Sequence, residues 1–304
     1  MLGRIVSFVL VSLTLFTSAA AQDTHQLGHG RLFVNDLIGD GKDRWRTGSI
    51  ASSYVFGQDW QGRAPSEFGG ILEFRILGEI IAPEDIVTPA AGDRPWAGAL
   101  SGGVHTHWMS QGLDLSLGGD IVVLGPQTQL DHIQTGLHKL LGTPPPSNAT
   151  LNAQIGNKVR PSMTFEAAKD WTVGSQTEVR PFAEFRAGVE TFARVGFDLT
   201  FGDVGTADLL VRDPVTGHRY RTIKRASQGF SWIVGADIAK VYDSAYLPED
   251  RGYALSDARS RVRAGVHWQG EKSAVFYGLT WLSKEFVGQR DEQVVGALRL
   301  DLQF

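Results

Sequence analysis

In Leu298-Arg299-Leu300-Asp301-Leu302-Gln303-Phe304 every even position is apolar, and Arg299, Asp301 and Gln303 alternate with them. Successive side chains of a β-strand point to opposite faces, so this heptad is a strand with one apolar and one charged face. The same alternation returns upstream. Val275, Tyr277, Leu279 and Trp281 oppose Ala274, Gly278 and Thr280, and Val262, Val266 and Trp268 oppose Arg259, Arg261, Arg263 and His267. Phe230, Trp232, Val234 and Ile238 oppose Ser231 and Asp237, while Val195, Phe197, Leu199 and Phe201 oppose Arg194, Asp198 and Thr200. Earlier still, Ala183 and Phe185 face away from Glu184 and Arg186, and Val159, Met163 and Phe165 from Ser162, Thr164 and Glu166. Leu113, Leu115 and Leu117 mark a further strand, and Leu100, Val104 and Trp108 oppose His105 and His107. Leu72, Phe74 and Ile76 oppose Glu73 and Arg75; Ile50, Tyr54 and Phe56 oppose Thr47, Ser49 and Ser53. With Leu32-Phe33-Val34 the pattern predicts twelve strands.

The apolar faces could meet each other in a soluble sandwich or meet lipid in a closed barrel. The polar face decides. It carries glycines and paired opposite charges (Glu73/Arg75, Glu184/Arg186) instead of a lysine-rich solvent face. Aromatics such as Tyr54, Trp108, Trp268, Trp281 and Phe304 fall near strand ends, as an interfacial girdle requires. An even strand number returns both termini to one side, and closure leaves no unpaired backbone in lipid. The expected fold is therefore all-β: a transmembrane antiparallel barrel of about twelve strands.

Composition supports this and excludes alternatives. The 304 residues contain no cysteine, which rules out disulfide scaffolds, thiol nucleophiles and thiolate metal sites. A net charge of −4 argues against nucleic acid as a partner. Residues 1–21 combine Arg4, an apolar run from Ile5 to Phe16 and Ala19-Ala20-Ala21, the pattern of a cleaved secretory signal. Residues 22–304 then form a single domain, expected in the Gram-negative outer membrane as a monomer.

With a periplasmic N-terminus, the connections 37–46, 83–96, 125–158 and 244–257 lie outside the cell. The third is unusually long, and such loops generally carry function. Within it Leu130, Ile133, Leu137 and Leu140 or Leu141 recur at helical spacing, and Gly142 and Pro144-Pro145-Pro146 stop the run. This predicts a short amphipathic helix at the barrel mouth, with His138 and Lys139 on it. Asn35-Asp36 ends the first strand, and Asp43-Arg44-Trp45-Arg46-Thr47 leads into the second. Alone, each is an ordinary helix or turn feature.

Together these pieces resemble the lipid A deacylase (LpxR-type) family of outer-membrane barrels. The matching elements are Val34-Asn35-Asp36, Asp43-Arg44-x-x-Thr47-Gly48, Asp93-Arg94-Pro95-Trp96-Ala97-Gly98 and Leu124-Gly125-Pro126 followed by His138-x-x-x-Gly142. Gln154-Ile155-x-Asn157 and Lys284-Glu285-Phe286 follow in the same order. The resemblance implies a calcium-dependent esterase that removes the 3′-O-linked acyloxyacyl group of lipid A. It implies His138 as the base that activates water, Asp36 as a calcium ligand, Asn35 and Thr47 as shapers of the same site, and Gln154 and Asn157 in support. Some members carry an acidic residue shortly after the His-x-x-x-Gly element, where this chain has Pro144 to Pro146.

The chemistry is coherent on its own terms. A neutral imidazole can take a proton from water, and a hard, oxygen-liganded cation can polarise an ester carbonyl. Arg44, Arg46 and Lys139 could meet the phosphates of lipid A by charge-assisted hydrogen bonds. Arg259, Arg261 and Arg263 face the lumen and are expected to pair with Glu73, Glu166, Glu184 or Asp198. Two other readings compete: a transport or purely structural barrel, and a serine phospholipase using His105 or His107 with Ser110.

Overall fold

A computed structural model describes residues 24–225 and 227–302. The expected signal at residues 1–21 and the terminal Phe304 lie outside the described residues. Twelve long strands form the wall: β1 (His25–Asn35), β2 (Trp45–Gly57), β3 (Ile71–Ala82), β4 (Ala97–Ser110), β5 (Leu113–Leu124), β6 (Lys158–Ala168), β8 (Thr177–Ala187), β9 (Glu190–Gly202), β12 (Gly229–Ser244), β13 (Arg259–Gln269), β14 (Ser273–Leu282) and β15 (Gln293–Leu302). Each pairs antiparallel with its neighbours, β1 with β15 and β6 with β8, so the sheet closes on itself. A three-residue strand β7 (Trp171–Val173) extends the edge of β8.

Facing directions follow the sequence alternation. On β15, Leu300 and Leu302 are exposed while Arg299 is buried, and on β3 Phe74 and Ile76 are exposed while Glu73 is buried. The outer wall is apolar and the inner wall charged, the inverse of a soluble barrel. One end carries more loop, in the connections 36–44, 83–96, 125–157, 245–258 and 283–292, while the other end has 58–70 and the 203–228 connection that enters the lumen.

The lumen is filled by a lattice of ion pairs. Arg261 bonds Asp237 (2.9 Å), Arg263 bonds Asp198 (2.5 Å) and Arg259 bonds Glu190 (2.7 Å). Only the Asp198 pairing is the one expected from sequence. Glu73, Glu166 and Glu184 are taken by Arg75, Arg212 and Arg194 instead. Register supplies part of the reason: Arg261 sits directly opposite Asp237, and Glu184 opposite Arg194. Cross-strand neighbours lie about 5 Å apart, so they pair first.

A second filling was not foreseen. Between β9 and β12 the chain makes a hairpin, β10 (Leu209–Arg212) and β11 (Arg219–Ile223), that lies inside the barrel. Its Val211, Val215 and Tyr220 join Leu32, Val34 and Phe276 in a buried cluster. Tyr220 meets the Ser53 hydroxyl (2.7 Å) and Arg212 meets Glu166 (2.7 Å). Gly28 and Gly30 permit its approach, since a Cβ on either would stand 2.2 or 2.4 Å from a β11 carbonyl oxygen. The hairpin leaves two small internal cavities of about 80 and 130 Å³. Its sequence signal was Asp213-Pro214-Val215-Thr216-Gly217, where Asp213 accepts from both the N–H and hydroxyl of Thr216 (2.7 Å each) and Gly217 has φ 75°.

Candidate functional site

The site lies at the longer-loop end, where β1 leaves the sheet and β2 enters it. Asn35 Nδ2 donates to the Thr47 carbonyl (2.7 Å), and its Oδ1 accepts from Leu37 N–H (2.8 Å). Opposite β3 the register slips between Trp45 and Gly48, and Trp45 has φ 51°. Such a bulge re-aims side chains at the cost of local strain. Here it makes Arg44, Trp45, Arg46 and Thr47 buried in unbroken succession. It also presents the Thr47 hydroxyl to Asp36, 3.3 Å away.

Asp36 is 1% exposed. Its carboxylate accepts from Arg44 N–H (2.7 Å) and Gln293 Nε2 (3.4 Å), but no lysine or arginine side chain among the described residues pairs with it. The same Thr47 hydroxyl lies 2.5 Å from Asp43 Oδ1. Burial pushes the Asp36 carboxyl up to about 8, with the Arg44 N–H opposing and the Asp43 carboxylate reinforcing the rise. One hydroxyl proton cannot serve two carboxylates, and the raised Asp36 carboxyl keeps its own proton at neutral pH, so the two acids share the contact with one charge between them.

Helix α1 (Leu130–Leu141) brings in the imidazole. It follows a 3₁₀ turn at Pro126–Thr128 and stops at Gly142, whose φ of 71° lets its N–H cap the last carbonyls. The polar stripe Asp131, Gln134 and His138 is turned inward, while Ile133, Leu137, Leu140 and Leu141 stay exposed. Trp96 Nε1 seats the helix by donating to Gln134 Oε1 (2.7 Å). A short helix α2 (Asn148–Asn152), capped by Ser147, completes the loop.

His138 Nε2 lies 3.1 Å from Asp43 Oδ2, and its Nδ1 lies 2.8 Å from the Pro144 carbonyl. A carbonyl only accepts, so Nδ1 carries hydrogen and Nε2 is the atom left to exchange protons. The proline run that replaces an acidic residue thus supplies the imidazole's orienting acceptor. His138, Asp43, Thr47 and Asp36 form one connected chain.

The remaining candidates divide. Lys139 is exposed beside His138. The Arg44 guanidinium is buried among Asp40, Glu84 and Asp291, and Arg46 is held by Glu79 (2.6 Å), Glu190 (3.2 Å) and Glu285 (2.9 Å). Guanidiniums buried and ion-paired in this way are not offered to a surface phosphate, which corrects the expectation for these two arginines. Asn157 Oδ1 ties the loop's ends by accepting from Gln127 N–H (2.9 Å), while Gln154 Oε1 is buried without a partner. Asp43 and Gln293 were missed as site residues. Asp43 stood in a quoted motif, but only the fold brings it to His138; Gln293 carries no local signal. The pieces Asp93–Gly98 and Lys284–Phe286 meet in space, since Glu285 bonds both Arg94 and Arg46.

His105 Nε2 faces Asp120 (3.2 Å) and His107 Nε2 faces Glu73 (2.7 Å), both in the lumen. Among the described residues no serine hydroxyl is hydrogen-bonded to a histidine ring, which leaves the serine-phospholipase reading without a site.

The donor set suits a hard cation: two carboxylates, one hydroxyl and nearby backbone carbonyls. Among the described residues, no three His, Asp or Glu side chains converge as a ready cage. Protein carbonyls and water would have to complete any shell.

An apolar outer wall around a charged, plugged lumen, with long loops gathered at one end, defines a bacterial outer-membrane β-barrel. The family described as outer membrane protein LpxR matches residues 6–304, and the chain belongs to it. LpxR from Salmonella typhimurium has a similar structure: TM-score 0.74 at 17% identity, covering 91% of this chain and 100% of that chain. The NanC porin gives TM-score 0.41 at 6% identity, covering 91% and 100%. The β domain of the Bordetella autotransporter BrkA gives 0.40 at 8%, covering 91% and 99%. No curated protein matches the sequence.

Proposed function

We propose that this barrel is a calcium-dependent outer-membrane esterase that hydrolyses the 3′-O-linked acyloxyacyl group of lipid A. The observation that carries the reading is the connected chain His138–Asp43–Thr47–Asp36 at the loop end, where the headgroups of outer-leaflet lipid would lie. His138 Nε2 takes a proton from a water, whose oxygen attacks the ester carbonyl; the imidazolium returns the proton to the departing sugar oxygen. The Pro144 carbonyl keeps the ring in the productive tautomer, and Asp43 stabilises the imidazolium once formed. Asp36, Asp43 and Thr47 would hold calcium, which when bound would polarise the ester carbonyl and offset the two acids. Lys139 is free to meet a phosphate. The hairpin in the lumen counts against a transport role.

The test is mass spectrometry of lipid A from a Gram-negative host expressing the wild type or His138→Ala. Wild type should release the two-chain fragment, and the variant should lose about 10²–10⁴-fold in rate, the usual share of a general base. In detergent, a calcium chelator should abolish activity and added calcium restore it. Unchanged lipid A with correctly folded wild-type protein would overturn the reading.

A further inference from the structure

Helix α1 is built the wrong way round for a helix under water. Ile133 is 60% exposed, Leu137 50%, Leu140 82% and Leu141 58%, while Asp131, Gln134 and His138 face inward. A solvent-covered surface helix buries its apolar stripe and shows its polar one. Four large aliphatics on one outward stripe form a patch that something must cover.

We infer that the acyl chains of the outer leaflet cover it, so that α1 lies in the membrane interface with its apolar face against lipid. The outward residues of the strands that flank the loop support this occupant: Ile121 on β5 is 54% exposed and Val159 on β6 is 60% exposed. The loop that carries the helix leaves that wall at Leu124 and rejoins it at Lys158, so lipid is the medium beside both of its ends. Exposed Lys139 and Lys158 flank it, which suits an anionic lipid layer. The imidazole sits on the reverse face of the same helix. Anchoring the apolar side in lipid fixes His138 at the depth where acyl esters enter the leaflet, and substrate reaches it sideways from the membrane. This deepens the esterase reading and rests on it for that consequence, whereas the lipid contact itself needs only the membrane.

The absence of cysteine makes the test direct. Leu140→Cys and Leu137→Cys, each in the full chain, are labelled with an environment-sensitive fluorophore, with Asp250→Cys, at an exposed position of the 245–258 connection, as the aqueous control. The proteins are placed in phosphatidylcholine vesicles containing lipopolysaccharide, folding being checked by heat-dependent gel mobility. Nitroxides on lipid acyl chains should quench the helix labels several-fold more than the control, and their emission should be blue-shifted. Quenching by aqueous iodide equal to that of the control would overturn the inference. So would signals that vanish on dilution with unlabelled protein, since a second copy would then be the cover. The measurement is repeated in a His138→Ala background. Lost lipid contact with intact deacylation sinks only this inference, and intact contact with no deacylation in the unlabelled chain sinks only the esterase reading.

Discussion

In the lumen, Asp237 lies 3.1, 2.9 and 2.5 Å from Arg194, Arg261 and Arg263, whereas at the rim Asp36 is equally buried and meets no side-chain cation among the described residues. Both regions bury acids behind the same wall. The lumen neutralises them with guanidiniums placed one strand away, and the result is a packed interior that holds shape. The rim assembles Asp36, Asp43 and a single hydroxyl with no guanidinium on Asp36, so burial holds that carboxyl in its neutral form up to a pH of about 8. A buried acid held off its charged form is costly, and such a group close to a histidine is the pattern expected of a functional site.

The contrast can be broken first in the lumen. Arg46→Met removes the only ion-pair partner that Glu79 has among the described residues, and removing one partner of a buried pair typically costs about 3–5 kcal/mol. Denaturant midpoints followed by heat-dependent gel mobility should fall accordingly, and an unchanged midpoint would mean the lattice is not what holds the barrel. At the rim, Asp43→Asn should act oppositely: activity falls about 10–100-fold, as when a supporting partner of a catalytic group is lost, with the midpoint preserved. Asp36→Asn removes an acid whose charged form burial disfavours, so at neutral pH stability should hold or rise by about 1 kcal/mol while the calcium requirement shifts to higher concentration. A stability loss in this variant would erase the distinction between the two regions. Lys139→Ala is the mildest. An exposed charge contributes about 0.2–1 kcal/mol, so KM should rise less than about fivefold and kcat stay unchanged.

Alternation along Leu298–Leu302 and its counterparts was enough to find all twelve wall strands, because each residue's facing depends only on its neighbours in sequence. The hairpin at Leu209–Ile223 escaped that pattern. Its strands are buried on all sides by the surrounding barrel, so all of Arg219, Tyr220, Arg221, Thr222 and Ile223 are inside and no polar face alternates with an apolar one. His138, Asn35, Asp36 and Thr47 were legible as recurring motif pieces. Asp43 as the neighbour of His138 was not, since 95 positions of chain separate them, and neither was the loss of Arg44 and Arg46 to structural pairing.

What the sequence determined by itself was local: strand periodicity, helix stops at Gly142 and Pro144, and the charge pattern that sends apolar faces to lipid. Only the tertiary structure decided which acid faces which base, which way α1 turns its stripe, and what fills the lumen. Those outcomes depend on register, on a one-residue bulge at Trp45 and on closure of the sheet. They are set by residues far apart in the chain, and no local window contains them.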